Sequence, residues 1–582
     1  MRPPPPAIYD FFDWGTDWQT LHPEYGAIGS EHMILWQQIN PAPGVFNWSR
    51  PDADLAREAE LKVTLRDGST IPKPVVIRVS FFLSAARTWS CPGVIFWDGT
   101  PRWVYEEIDR KSGLKPRPTV CGRKVGHVVG GCGLTAVVPM WDNPIWRQRY
   151  YEMVRALGAH YGDNPQVAAV VIETGLDGET HMGKAIGDCD WEAIIGARIR
   201  GIRWQFEQFF IPQAIRAYRE AFPHTLVLIS NTAGGSAIRL DTSRLAASLS
   251  PPVGIKNCGA WVDQPNHQGY GNNVGIFDMP QVYSDTVPIW IETKFGMGDP
   301  ESRYWTWLAM LHYHPVGVDV HEAWINESDP AWLRFVQDHL GRTLADTPDV
   351  WCALRDTEYP AHFWGANGED GESGHVGDWT FWLTRLENAP GNRTVRLWKQ
   401  DLPATCQDQV YSRQARRTDQ ASGNPYMSFD IADGCPYAGH KPLSEPGGTV
   451  GYRVTLTLLN QGDDTFSVQY RNWAGQLVAR TVQKGPSLGP VGRWVEVTLD
   501  LQDAYLNNNL PGGADLRLSC NDDGDEAVHL IRISGHHAGD PLPTPPTRPS
   551  PTATFPGRPT LPVGTPSSSI RTPPPKLVPG PS

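Results

Sequence analysis

Between residues 25 and 345, short runs of β-branched and aliphatic residues alternate with longer amphipathic stretches, and this alternation limits the fold more than any other feature of the chain. A short apolar run bounded by turn residues reads as a strand buried on both faces, and the amphipathic stretch after it as the helix that carries the chain back to start a parallel neighbour. Met33 to Ile39, Val75 to Phe82, Val167 to Ile172, Thr225 to Ser230, Val253 to Lys256, Val287 to Glu292 and Gly317 to His321 read as such strands. Pro144 to Tyr161, with Ile145, Tyr151, Val154, Leu157 and Tyr161 near helical spacing, reads as a helix, as does Trp191 to Phe222 with an interruption at Pro212. The pattern predicts a (β/α)8 TIM barrel. A doubly wound sheet would usually carry a glycine-rich phosphate loop near its first strand, and the sequence has none.

Barrel enzymes place their chemistry where the strands end, so the residues that finish each run are the candidates. VAAVVIETGLDGETHM, from Val167 to Met182, ends an apolar run in a Gly-rich loop with Glu173 at its edge and Glu179 further on, and VPIWIETKFG ends a second run on Glu292. Strand-terminal carboxylates far apart in sequence point to acid/base work on a glycosidic bond, which needs one carboxyl protonated and one ionised. Glu179 is the preferred acid, because the GLDGET loop could lift it over a cleft and the neighbouring Asp177 would raise its pKa by like-charge repulsion; Glu173 is the competitor. A bland reading stands beside each: a solvated loop carboxylate for Glu179 and Glu173, an ion pair with Lys294 or an arginine for Glu292. Arg78 would orient a carboxylate or form an inert salt bridge. Asn231 and Asn257 would donate to sugar hydroxyls or serve as turn residues. Trp324 would supply a stacking floor beside His321 and Glu322, and His181 would adjust Glu179. His32, His181 and His321 could meet at a metal, but nothing like HExxH supports it, and neither metal nor cofactor is expected.

WQQINPAPGVFNWS, from Trp36 to Ser49, resembles the strand-loop segment near the start of many (β/α)8 glycoside hydrolases, and PMWDNPIWRQRYYEMVRALGAHYGDNPQVAAV resembles the helix and fourth strand of those related to the clan with catalytic glutamates on strands four and seven. The likeness covers Gly26 to Glu322. It implies a general acid/base near the end of strand four, in the Glu173/Glu179 loop, and a nucleophile at the end of strand seven, Glu292, acting on a poly- or oligosaccharide. In that clan the acid usually follows Asn; here Ile172 precedes Glu173 and Gly178 precedes Glu179, which leaves the acid open between them. A non-catalytic glycan-binding or surface-display protein on the same scaffold is the alternative.

From Asp349 to Gly535 the pattern changes to period-two alternation, with Tyr452 to Leu459, Thr465 to Arg471, Arg493 to Leu499 and Val528 to Ile533 separated by Asn, Asp and Gly turns, as in a β-sandwich. The expected organisation is a catalytic barrel over 1–345, an accessory sandwich over 346–540 and a disordered Pro/Thr/Ser-rich tail over 541–582. The sandwich is similar to carbohydrate-binding modules, with Tyr470, Trp473 and Trp494 as possible platforms, and NDDGDE at Asn521 to Glu526 reads as an acidic turn or a Ca2+ loop. A formal charge of -12 argues against nucleic acid as a partner, and no apolar run is long enough to span a membrane. MRPPPPAIYDFFDWG lacks a signal peptide, whereas the Pro/Thr stretch is of a kind frequent on exported proteins; secretion or surface display is the expectation. Nine cysteines without a CxxC pair leave room for bridges such as Cys121 with Cys132 or Cys406 with Cys435.

Overall fold

The structure, a computed structural model, describes residues 1–11, 15–84, 94–113, 117–120, 122–131, 134–182, 198–231, 236–260, 277–293, 299–355, 377–408 and 414–537. Eight strands close into one barrel: β1 (Ile8–Phe11), β2 (Ile28–Leu35), β3 (Val75–Ser80), β4 (Val167–Ile172), β5 (Leu226–Ser230), β6 (Gly254–Ala260), β7 (Ile289–Thr293) and β8 (Gly317–Val320). They lie in chain order, every neighbour is parallel, and β1 pairs with both β2 and β8. This is the (β/α)8 architecture the alternation predicts. Helices fill the crossovers, among them Pro144–Tyr161, whose Asn143 side chain accepts from the Ile145 and Trp146 amides and whose Tyr150, Val154, Leu157 and Tyr161 are buried.

Two strands differ from expectation. β1 lies before residue 25, in IYDF just after a proline run, and the second strand begins at Ile28 rather than Met33, with Trp36–Ile39 folded as a helical turn. Both strands were obscured by polar side chains at buried positions, Asp10 in β1 and Ser30, Glu31 and His32 in β2. The expected long helix is seen as Arg198–Gln205, a π-helical turn Phe206–Phe210 and Ile211–Ala221, while 191–197 fall outside the described residues.

Side chains fill the barrel to its lower end. Tyr9, Val76, Ala169, Val171, Leu226, Leu228 and Trp290 form one buried cluster from five strands, with the Tyr9 and Trp290 rings 4.9 Å apart. Those rings occupy space where a neighbour lacks a β-carbon. One built on Gly317 would collide with the Trp290 indole, and one on Gly29 would lie 2.7 Å from the Tyr9 ring. Large residues are thus matched to glycines across the barrel.

An unforeseen insertion follows β3. Phe82–Ser84, Val94–Asp98, Leu134–Val138 and His127–Gly131 form a four-stranded sheet, with helix Arg102–Ser112 between its strands. Because the chain leaves β3 at its C-terminal end, this sheet stands at the barrel mouth. Buried Asp98 ties it together by accepting from the Thr100 amide (2.9 Å), the Gly126 amide (3.2 Å) and the Tyr105 hydroxyl.

Beyond the barrel, two antiparallel sheets form the expected sandwich. Val450–Asn460 and Ala527–His537 are the long strands of one, and Tyr426–Ile431, Leu516–Ser519 and Thr465–Arg471 the centre of the other. Its apolar core is continuous with that of the barrel. Tyr304 hydrogen-bonds His529 at 2.7 Å, the Trp305 ring meets the same imidazole edge-on, and Lys399 pairs with Glu301 at 2.8 Å. Tyr470 and Trp494 are buried in this core and cannot be platforms, whereas Trp473 is 44 % exposed. In the NDDGDE turn, Asp523 accepts from Thr465, and Asp525 from Thr418 and the Gln420 amide. Cys406 and Cys435 are free thiols; Cys121, Cys132 and the 541–582 tail lie outside the described residues. No helix among the described residues is long and apolar enough to cross a membrane.

Glycine at 317 is required by the Trp290 ring rather than by a turn. Gly317→Ala should lower unfolding free energy by about 1–3 kcal/mol, the usual range for overpacking, read as a reduced urea midpoint at unchanged slope.

Candidate active site

Above the apolar plug, the inward-facing positions of the strands become charged. Glu31 on β2, Arg78 on β3, Glu173 just after β4, Lys256 on β6, Glu292 on β7 and Asp319 on β8 form one buried cluster. Lys256 Nζ is its hub, lying 3.0 Å from Glu31 Oε2, 3.2 Å from Glu292 Oε2 and 2.5 Å from Asp319 Oδ2. Arg78 continues it, with Nε 3.2 Å from Glu31 Oε1 and Nη1 3.6 Å from Glu173 Oε1. Both cations approach the Phe11 ring of β1. The two strand-terminal glutamates, Glu173 and Glu292, are therefore joined through Arg78, Glu31 and Lys256.

Burial sets the protonation of this cluster. It works against charge on Lys256, but Asp319, Glu31 and Glu292 more than offset it and hold the ammonium well above its ordinary range. It likewise opposes ionisation of Glu31, yet Lys256 and Arg78 hold that carboxyl below its ordinary value. Asp319 is pushed up by burial, with Glu31 and Glu292 adding to the effect against Lys256. Burial also pushes Glu173 up to about 7 against the pull of Arg78 and Ser80.

Glu173 is only 1 % exposed, and the loop after β4 covers it. A β-carbon on Gly178 would overlap the Glu173 carboxyl, and at φ +88° this residue also takes a backbone conformation suited to glycine. The Gly175 position is closed by the backbone carbonyls of Glu179 and His181. Asp177, at φ 52°, accepts from the Ser84 amide (2.9 Å) and hydroxyl (2.7 Å), clamping the loop to the inserted sheet. The Asp177 carboxylate is thus engaged by Ser84. The carbonyl of Glu173 accepts from the Tyr150 hydroxyl at 2.5 Å, and that of Thr174 from the Trp141 indole at 3.2 Å.

Glu179 emerges from this loop half-buried. Its backbone is fixed by its own amide to the Leu176 carbonyl (3.2 Å) and by the Thr174 hydroxyl to its carbonyl (3.3 Å); the next amide, Thr180, reaches the carbonyl of Ser230 at the end of β5 (3.2 Å). From there the rim continues: Ser230 Oγ is 3.8 Å from Cys258 Sγ, and that thiol donates to Glu292 Oε2 at 3.3 Å. Glu292 is 9 % exposed.

The other candidates divide. Arg78 bridges two carboxylates of the cluster. His321 and Glu322 are exposed at the end of β8, where His321 Nδ1 accepts from the Ala323 amide and caps the helix Glu322–Glu327. His181 is half-buried beside the Glu179 loop. Asn231 departs from expectation: its amide donates to the Arg239 carbonyl and the Ser243 hydroxyl and accepts from Thr242, all on helix Ser236–Ser248. β6 runs to Ala260, so with Lys256 and Cys258 facing inward, Asn257 faces outward and is fully buried. Trp324 is 3 % exposed and packs edge-on against Trp307, which makes it core rather than a sugar floor. His32 turns away from the barrel interior toward Glu58, so the three histidines do not converge. Among the described residues no group of three or more His, Cys, Asp or Glu could hold a metal ion.

The sequence matches no family model and no curated protein. Among similar solved structures, a β-galactosidase from the psychrophilic Marinomonas ef1 is 13 % identical, with 57 % of this chain and 59 % of that one covered and a TM-score of 0.32. An endo-glycoceramidase II from Rhodococcus sp. is 12 % identical over 91 % of this chain and 97 % of that one, with a TM-score of 0.29. A xylanase from Cellvibrio japonicus is 9 % identical over 58 % and 67 %, with a TM-score of 0.32.

Glu173 gives a signed pH effect. Its folded pKa of about 7 lies above the ordinary 4.5, so its contribution to stability is complete below pH 4.5 and is lost as pH rises through 7. Glu173→Gln should therefore gain about 3 kcal/mol on the parent between pH 4 and pH 8, measured as the difference of their urea-unfolding free energies.

Proposed function

We propose that this chain is a glycoside hydrolase that cleaves O-glycosidic bonds of a poly- or oligosaccharide with two carboxyl groups. The observation that carries this reading is Glu292, a carboxylate held by Lys256 and Cys258 and 9 % exposed near the C-terminal end of β7, on the same rim as the Glu179 loop. Glu179 is the acid. As the bond to the anomeric carbon breaks, its carboxyl gives a proton to the departing oxygen, while Glu292 acts from the other side, attacking that carbon or taking a proton from the water that does. In a covalent course, water then displaces Glu292 and returns a proton to Glu179.

Glu173 has the pKa of an acid but is 1 % exposed beneath Gly178. It acts through others, anchoring Arg78 and bedding the loop that presents Glu179. Residues 1–345 carry the chemistry in this reading, 346–540 form an accessory module, and the Pro/Thr-rich composition beyond supports an exported protein. His181, His321 and Glu322 remain the residues suited to bind sugar hydroxyls.

A panel of glycans and aryl glycosides assayed with three variants tests the assignment. Glu292→Gln should lose turnover of every substrate. Glu179→Gln should lose roughly 10²- to 10⁴-fold on glycans but recover on aryl glycosides whose leaving group needs no proton. Recovery by Glu173→Gln instead would move the acid to that residue, and full activity of Glu292→Gln would leave a glycan-binding protein.

A further inference from the structure

Lys256 and Cys258 stand two residues apart on β6, so both project into the barrel. Both touch Glu292 at the same atom: Lys256 Nζ lies 3.2 Å from Oε2, and Cys258 Sγ donates to Oε2 at 3.3 Å. Among the described residues Oε1 has no partner, and the residue keeps 9 % of its surface exposed. A carboxylate that is to react at one oxygen benefits from donors fixed on the other, because they set the carboxyl plane and keep the group ionised.

We propose that Cys258 is a positioning residue which, with Lys256, holds Glu292 Oε2 and leaves Oε1 as the reacting oxygen. The inference rests on Glu292 being the reacting carboxylate. The division of labour is unequal. Lys256 is shared among three carboxylates and fixes the cluster as a whole, whereas the thiol contributes a directional contact at the half-buried edge of the mouth. Ser230 Oγ, 3.8 Å from the sulfur, backs it from β5.

Two measurements test this. In the first, Cys258→Ala should lower kcat roughly tenfold at little change in KM, and the acidic limb of the pH profile should move up by about one unit, because a carboxylate that loses a donor is easier to protonate. Cys258→Ser, which keeps a donor, should restore both. The second needs no turnover. Alkylation of Cys258 by iodoacetamide, followed across pH by peptide mass spectrometry, should titrate about one unit lower in Glu292→Gln than in the parent, since the neighbouring negative charge that suppresses the thiolate is gone. An unchanged alkylation profile, or Ala and Ser variants alike in kcat and acidic limb, overturns the proposal. Failure of the glycosidase reading shows differently: Glu292→Gln then matches the parent in turnover, or the parent cleaves nothing, while the alkylation shift still reports whether Cys258 and Glu292 touch.

Discussion

The ammonium of Lys256, enclosed in the barrel with three carboxylates around it, is the constraint on which the rest of the site depends. An isolated charge there would cost several kcal/mol, and the structure meets that cost only by drawing Glu31, Glu292 and Asp319 from three different strands onto one nitrogen. Arg78 then balances the second oxygen of Glu31 and reaches Glu173. Strand-end carboxylates that would otherwise repel are thereby tied to one lattice, in which burial pushes Asp319 and Glu173 above the ordinary carboxylate range while Lys256 and Arg78 hold Glu31 below it.

That lattice needs a firm floor and a firm roof. Below it, the Tyr9 and Trp290 rings fill the space left by Gly29 and Gly317, so β7 and β8 cannot slide relative to each other without a clash. Above it, the inserted sheet grips Asp177 through Ser84 and sets the height of the loop that carries Glu179. Its place in sequence, directly after β3, puts it where it can brace the loop after β4.

Much of this was legible in the chain. The apolar runs of β3 to β8 mark their strands because they are buried on both faces, and the spacing of Gly175 and Gly178 within GLDGET records how tightly that loop folds over Glu173. β1 escaped notice and β2 was placed too late in the chain because charged and polar residues interrupt them. Lys256 and Cys258 were missed for one reason of register: β6 continues past its apolar run to Ala260, which turns Asn257 outward and the residues on either side of it inward. A lysine inside a buried strand, as in VGIKNCGA, was the available signal, and the aspartate in GVDV and the glutamate in IGSEHMIL were others. The insertion left no comparable trace, since its strands are short, and His127–Gly131 and Leu134–Val138 follow one another without the long helical stretch that marks the barrel strands.

The helix Pro300–Leu311 is buried along nearly its whole length, because the sandwich covers the face that barrel helices usually show to water. Its Tyr304 and Trp305 meet His529, on one of the last strands of the described chain. A ribosome making this protein would release the eighth barrel strand long before it supplied that covering. The emerging barrel would present an oily flank throughout the interval.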